Sequence, residues 1–418
     1  MAALQHRRVA PEGRWGPVLP LLIVQLLIGI ALTANRSFFP VFVSERLGYA
    51  TVFVSSLVAT QQVAGMISAL IGGSLCDVLG PKRTLLVGLL GYGLGSLTFL
   101  IGEPWLVAVL WACSGLAMGM HTLGGMAYLM EAASPRRLGT FSALYNWGIT
   151  IGGALASPML GVVLDRRGFG TLGAVLVTLA VATTCGAAVA LSSVRSGRSN
   201  QTRHLGQTLL SYRTIIRRPP IALLGLLRFL PTCYWGMAGV LIPLLINRLA
   251  SSKTTIAWFA ATSQVLAALS QFAVGRAADR WGRKAPTIVA LGVLVGSCLG
   301  MAVFADRLWS FFTFGVTATM AAWSLSTLMI CLVADTSSSE ERGRVLGMLH
   351  VLWNLAMITG SLLGGILVEV AAGLPFLAAA ALNVAAIGAV LALFRMPRVS
   401  ETGMIGPVSA SAAESDAR

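Results

Sequence analysis

The 418-residue chain is 56% hydrophobic and only 11% charged, with a mean hydropathy of +0.80. Soluble domains carry roughly 25% charged residues, so the composition excludes a sizeable water-soluble domain and assigns most of the chain to lipid. The formal charge of +15 does not point to a nucleic-acid partner, because the basic residues gather between apolar runs, where they orient a chain in a membrane.

Residues 1–16 form a polar, basic tail, expected on the cytoplasmic side. The apolar run that follows is too long for a signal-peptide core. Apolar runs fall at about 17–42, 51–76, 84–102, 105–130, 138–164, 170–192, 220–247, 254–277, 286–304, 308–334, 344–371 and 374–396. Each is long enough for a membrane helix of about 20 residues, and their Gly/Ala content suits close helix packing. The reading is an all-α membrane protein of twelve transmembrane helices, with a six-helix bundle over 17–192 and a second over 220–396. Between them lies a basic cytoplasmic linker, 193–219, holding Arg195, Arg198, Arg203, Arg213, Arg217 and Arg218. The Asn200–Thr202 sequon falls on this linker, where glycosylation is not expected. The tail 397–418, rich in Ser, Ala and Gly, is expected to be disordered and cytoplasmic.

With the N-terminus inside, 22 of the 30 Lys and Arg residues fall in inside segments and six in outside loops. That asymmetry follows the positive-inside rule. Arg36 and Arg228 lie within apolar runs. The six cysteines sit in or beside apolar runs without a CxxC pair, and read as small apolar side chains.

Two loops repeat. After the second run stand Gly73, Asp77, Gly80, Lys82 and Arg83; after the eighth stand Gly275, Asp279, Arg280, Gly282, Arg283 and Lys284. The aspartates are 202 residues apart. The loops after the fourth and tenth runs align at an offset of 204, placing Glu131 opposite Asp335, Gly161 opposite Gly365 and Asp165 opposite Glu369. The chain thus reads as a tandem repeat of two six-helix units in the same orientation, which pack around an axis along the membrane normal. The glycines suit tight turns, and the loop aspartates can face a helix N-terminus.

These loops, the repeat and the helix count closely resemble the major facilitator superfamily, in a bacterial-type member. GRAADRWGRK, residues 275–284, is the better match to its signature loop; the first copy has Val78 and Pro81 where basic residues are usual. The resemblance implies a rocking secondary transporter with a central cavity between the halves. It also implies that Lys82, Arg83, Arg283 and Lys284 pair with acids such as Glu131 and Asp335 when the cytoplasmic side closes. The plainer reading is that these groups only orient the helices. Gly148, Gly152, Gly153, Pro158 and Gly161 on the fifth helix resemble part of a Gly/Pro motif of exporters, with the Pro displaced. Trp111 stands on the fourth helix where exporters often place an arginine.

Every acid falls in a tail, a loop or a helix end, and none at a helix centre. Proton coupling would therefore fall to His121, His350 or Glu131; a membrane histidine also serves as a hydrogen-bonded packing residue. Arg228 lies about 12 Å from the inner edge and Arg36 about 28 Å from it, near the outer edge, so the two are not symmetry mates. Arg36 could line the cavity or snorkel outward. Gln62 and Gln264 occupy matching positions, and Gln271 shares a face with Gln264. Asn35, Asn146, Trp147, Tyr234, Trp235, Trp323, Trp353 and Asn354 complete a candidate lining of amides and aromatics, each equally able to serve as an inter-helix contact.

We therefore expect a monomeric secondary active transporter of a small organic solute in the inner or plasma membrane. Efflux of drugs or metabolites is the first expectation, with a coupling proton or counter-substrate. The alternatives are an organic-anion exchanger or importer using Arg228, and a transport-inactive sensor or scaffold. No nucleophile–base set, metal spacing or phosphate loop stands in the sequence, and no enzyme activity, cofactor or nucleic-acid partner is expected.

Overall fold

The computed structural model describes residues 16, 18–133, 137–192, 216–337 and 341–396. Of Gly73 and Asp77 only the helical backbone within α2 is described, and the tails and most of the linker lie outside the described residues. The described chain is helical, without a strand. The helices are α1 (Leu19–Val41), α2 (Thr51–Leu79), α3 (Pro81–Leu97), α4 (Pro104–Ala132), α5 (138–167), α6 (169–190), α7 (Pro219–Ala250), α8 (Lys253–Trp281), α9 (Lys284–Val303), α10 (Leu308–Thr336), α11 (Arg342–Val370) and α12 (Leu374–Leu393). A π-helical turn, Phe42–Arg46, prolongs α1.

The α5–α6 stretch of 53 residues is helical to both ends. Straight, it would measure about 80 Å, more than twice a bilayer core. Gly168, at φ 77° and ψ 177°, breaks it into two spans that double back. This makes twelve spans among the described residues, in two six-helix bundles, an all-α membrane protein. Prolines at the first turn open α3, α4, α7 and α12, where their missing N–H costs nothing.

Gly80 (φ 83°, ψ 157°) joins α2 to α3, and Gly282 (φ 73°, ψ 171°) joins α8 to α9. Side chains are excluded from this backbone region. The two turns are therefore the same device in both halves, and they define what we call the signature face. Within each half, helices meet at backbone distance. A Cβ on Gly152 of α5 would strike the Leu26 carbonyl of α1, and one on Gly360 of α11 would strike the Cys233 carbonyl of α7. In lipid, such packing rather than hydrophobic drive holds helices together.

The halves are joined at the face opposite the signature turns. Asp165, at the end of α5, accepts hydrogen bonds from the backbone N–H of Lys253 (2.8 Å) and Thr254 (2.9 Å), and from the Ser252 and Thr254 hydroxyls (3.0 and 2.7 Å). It thereby caps α8. Glu369, at the end of α11, accepts from the Thr51 N–H at the start of α2 (3.0 Å). A helix N-terminus presents unpaired N–H groups and a positive dipole end, so each carboxylate finds a matched partner. Four residues before each acid stands a glycine in near contact across the same seam. Gly161 faces Ala257 and Thr254, and Gly365 faces Ser55 and Val52. Glu45 adds bonds to Lys253 (2.9 Å) and Asn247 (3.2 Å), and Arg248 bonds the Thr51 hydroxyl (3.2 Å). The seal continues to mid-depth, where Gln264 of α8 donates to Thr33 of α1 at 3.0 Å.

Toward the signature face the halves part. Trp147 lies 18 residues, five whole turns, before Asp165, hence on the same side of α5. Phe272 lies 18 residues after Thr254 on the matching side of α8. Both are exposed, at 55% and 63%. The same two helix sides therefore close on each other at one end and separate at the other, leaving a cleft open to the signature face.

Candidate functional site

Arg36 lies at the deep end of the N-terminal half, in a cleft lined by Leu32, Asn35, Gln61, Tyr92, Trp111 and Ser114. It is ten residues from the helical end at Arg46; Gln61 is ten from Thr51, and Ser114 ten from Pro104. All three therefore sit about 15 Å below the sealed face. The Gln61 amide N donates to the Ser114 hydroxyl (2.9 Å), and Ser114 donates to the Trp111 carbonyl (2.7 Å). Asn35 donates to the Tyr92 carbonyl and accepts from Ser96 (3.4 and 3.2 Å). Arg36 is surrounded by protein yet open to the cleft, with Tyr92 as its polar neighbour and no acid beside it among the described residues. It points into this cleft rather than outward.

Beneath the cleft His121 is held at both ring nitrogens, by the Gln25 amide (3.1 Å) and the Tyr92 hydroxyl (3.1 Å). Gln25 is fully buried, with its Oε1 unpartnered. Leaving a buried polar group unpaired costs about 1–3 kcal/mol. His121→Leu is expected to strand both neighbours and lower the melting temperature of the detergent-purified protein. Adding Tyr92→Phe should cost less than the sum of the two changes. An unchanged melting temperature would show that the network contributes nothing.

In the C-terminal half Arg228 donates to the Ser326 hydroxyl (3.1 Å), and His350, close enough to feel its charge, stacks on Trp353 (centroids 5.8 Å). Arg228 is nine residues from Pro219, about 14 Å from the signature face. The two arginines thus sit at different depths. Trp235 meets Trp323 edge to face (5.5 Å) and neighbours Tyr234, which is fully buried. Thr327 donates to Gln271 (3.2 Å), placing the Trp323 side of α10 beside α8. Asn146 and Asn354 bond back to their own helices, at Ser142 and His350. Gln62 is buried, while Gln61 lines the cleft.

On the signature face Lys82 donates to the Ala188 and Leu191 carbonyls (2.8 and 2.6 Å), capping the end of α6. Arg283 approaches Asp335 to 3.1 Å, as an ion pair whose N–H is not aimed for a hydrogen bond. Both contacts stay within one half. Arg83, Glu131, Asp279, Arg280 and Lys284 are exposed or partly so, as is Gly275; Arg280 lies over the Trp281 ring. Sequence reasoning did not single out Gln25, Thr33, Gln61, Tyr92, Ser114 or Ser326. The Gly115–Gly119 pair on α4, which lets α2 approach beside Gln61 and Ser68, was the available signal for that side of the cleft.

The model of the Major Facilitator Superfamily matches residues 21–238 and 224–408. The chain belongs to the major facilitator superfamily. Its long apolar helices make it a multi-pass membrane member of that superfamily. An uncharacterized MFS-type transporter of Pseudomonas aeruginosa is 28% identical over 36% of this chain and 33% of its own length; the match thus spans about a third of that relative. The multidrug resistance protein MdtH of Shigella boydii is 25% identical over 68% of this chain and 69% of its own. The class C tetracycline resistance protein of Escherichia coli is 31% identical over 28% and 30%. Among solved folds, the nucleoside transporter NupG superposes with a TM-score of 0.75 at 15% identity, covering 90% of this chain and 100% of that one. A bacterial homologue of the lysosomal transporter Spinster, in an inward-facing and occupied conformation, gives 0.70 at 14%, covering 90% and 96%.

Proposed function

We infer that this superfamily member exports an amphipathic organic solute by alternating access. The observation that carries the reading is the wall of the cleft, where aromatic and amide side chains alternate with a cation. Trp147 stands at the mouth, and Gln61, Tyr92, Trp111 and Arg36 stand at the deep end. Such a wall suits a molecule with both an apolar body and polar groups. The direction is supported by two relatives whose names are those of resistance proteins. The Lys/Arg distribution assigns the signature face, both termini and the linker 193–219 to the cytoplasm, so the cleft is open to the compartment from which an exporter loads. The protein would act as a monomer in the inner membrane.

The test is transport in both directions. Expression in an efflux-deficient bacterium should lower accumulation of amphipathic dyes, and inside-out vesicles should take the same dyes up. Trp147→Ala should slow this several-fold. Uptake confined to whole cells would reverse the direction. A second reading, organic-anion exchange through Arg228, is favoured by the Arg228–Ser326 pair with His350 beside it and no acid at hand among the described residues. It would show as anion self-exchange abolished by Arg228→Gln.

A further inference from the structure

We propose that the deep end of the cleft is an anion site, and that the exported solute carries a carboxylate or equivalent acid group on an aromatic body, bound between Arg36 and Trp111. This deepens the export reading and rests on it. Two donors in the cleft are unspent. Arg36, with five N–H groups, has no bond to any described residue and no acid beside it. The Trp111 indole N–H is buried without a partner, its residue only 3% exposed. Neither is positioned by accident of the surface. Trp111 stacks flat on Phe39 with centroids 3.4 Å apart, and Arg36 projects from the middle of α1, one residue from Asn35, which is fixed by two hydrogen bonds.

The charge of the lining, one arginine and no acid among the described residues, favours an anion over a cation. The Gln61 amide N donates to the Ser114 hydroxyl, which donates in turn to the Trp111 carbonyl, a fixed chain that holds this side of the lining in place. No carboxylate lies in the lining among the described residues. A guanidinium deep in the membrane without a counter-charge is costly, and a carboxylate offers it two oxygens in matching geometry. The indole N–H can supply a third contact. The apolar part of the lining, Leu32, Tyr92, Trp111 and Met118, then meets the ring carrying the acid. Arg228, at a different depth and already bonded to Ser326, is outside this site.

The test uses the full-length protein in detergent with three probes, benzoate, salicylate and 1-naphthoate, each paired with its uncharged amide. Ligand-induced rises in melting temperature are converted to apparent affinities. At least one acid should bind roughly tenfold or more tightly than its amide, as a charge-assisted contact requires. Arg36→Gln should erase the difference, Arg36→Lys should keep part of it, and Trp111→Phe, which keeps the stack, should weaken the acid alone. The unliganded melting temperature of each variant reports its folding, and the Lys variant keeps the test informative if the Gln variant fails to fold. Equal binding of acid and amide by every pair overturns the site. So does an acid preference that survives Arg36→Gln, or one that vanishes with Arg228→Gln instead. The two readings separate cleanly. Dye export without acid binding removes the anion site and leaves export standing; acid binding with transport only inward does the reverse.

Discussion

Replacing Asp165 and Glu369 together by alanine should release the sealed face and shift the transporter toward its outward-open form by roughly thirtyfold. Each carboxylate caps a helix of the opposite half, and loss of such a cap costs about 1 kcal/mol. Two distant caps add to about 2 kcal/mol, which is roughly thirtyfold in an equilibrium constant. The acids are exposed at the helix ends, where solvent screening keeps the contribution of their charge small. Asp165→Asn should have a smaller effect, because asparagine keeps the accepting oxygen and loses only the charge. The readout is a single cysteine at Ser55, a residue with 0% exposure against Gly365, in a chain stripped of its six native cysteines. A membrane-impermeant maleimide applied from the sealed face should label it slowly in the parent and at least several-fold faster in the double alanine variant. Equal rates would mean that the caps do not hold the face closed.

The second large effect contrasts two glycines nine residues apart on α5. Gly161→Val puts a branched side chain against Ala257 and Thr254 of α8, across the seam. The halves are free to part there, so the protein should fold, melt within a few degrees of the parent, and label at Ser55 as the cap variant does. Gly152→Val drives into the Leu26 carbonyl of α1 within one half. No rigid-body motion relieves that clash. Overpacking of this kind costs about 1–3 kcal/mol or more, and a large fall in melting temperature or loss of the folded fraction should follow. Size-exclusion profiles and thermal unfolding separate the two outcomes. If both variants misfold, the seam at Gly161 is part of the folded core rather than a parting surface.

Much of the architecture was legible because lipid imposes length. Apolar runs of membrane length, glycine turns at a fixed offset and the Lys/Arg pattern all follow from the solvent. Even the Gly161–Gly365 and Asp165–Glu369 pairings stood in the register of the repeat. What those residues touch did not, because α5 meets α8, and α11 meets α2, only once the bundles assemble. The cleft was less legible for two physical reasons. The apolar run ends near residue 42, but the helix continues through a π-turn to Arg46, so Arg36 lies deeper beneath the sealed face than the run suggested. Adjacent helical residues point about 100° apart, so Gln61 and Gln62 differ little in sequence and greatly in place. The partners of His121 came from α1 and α3, 96 and 29 residues away, and no local spacing marks them.

The crossed caps have a consequence for how the transporter divides its labour. Each half gives one acid and receives one, as the two faces of a twofold dimer do. The chain is thus a tethered pseudo-dimer at its gate, with both catches working in parallel on one rigid-body swing. Its two arginines break that symmetry, at unequal depths and with different neighbours. The motion is shared equally by the two repeats, while the choice of cargo belongs to the places where they have ceased to be copies of one another.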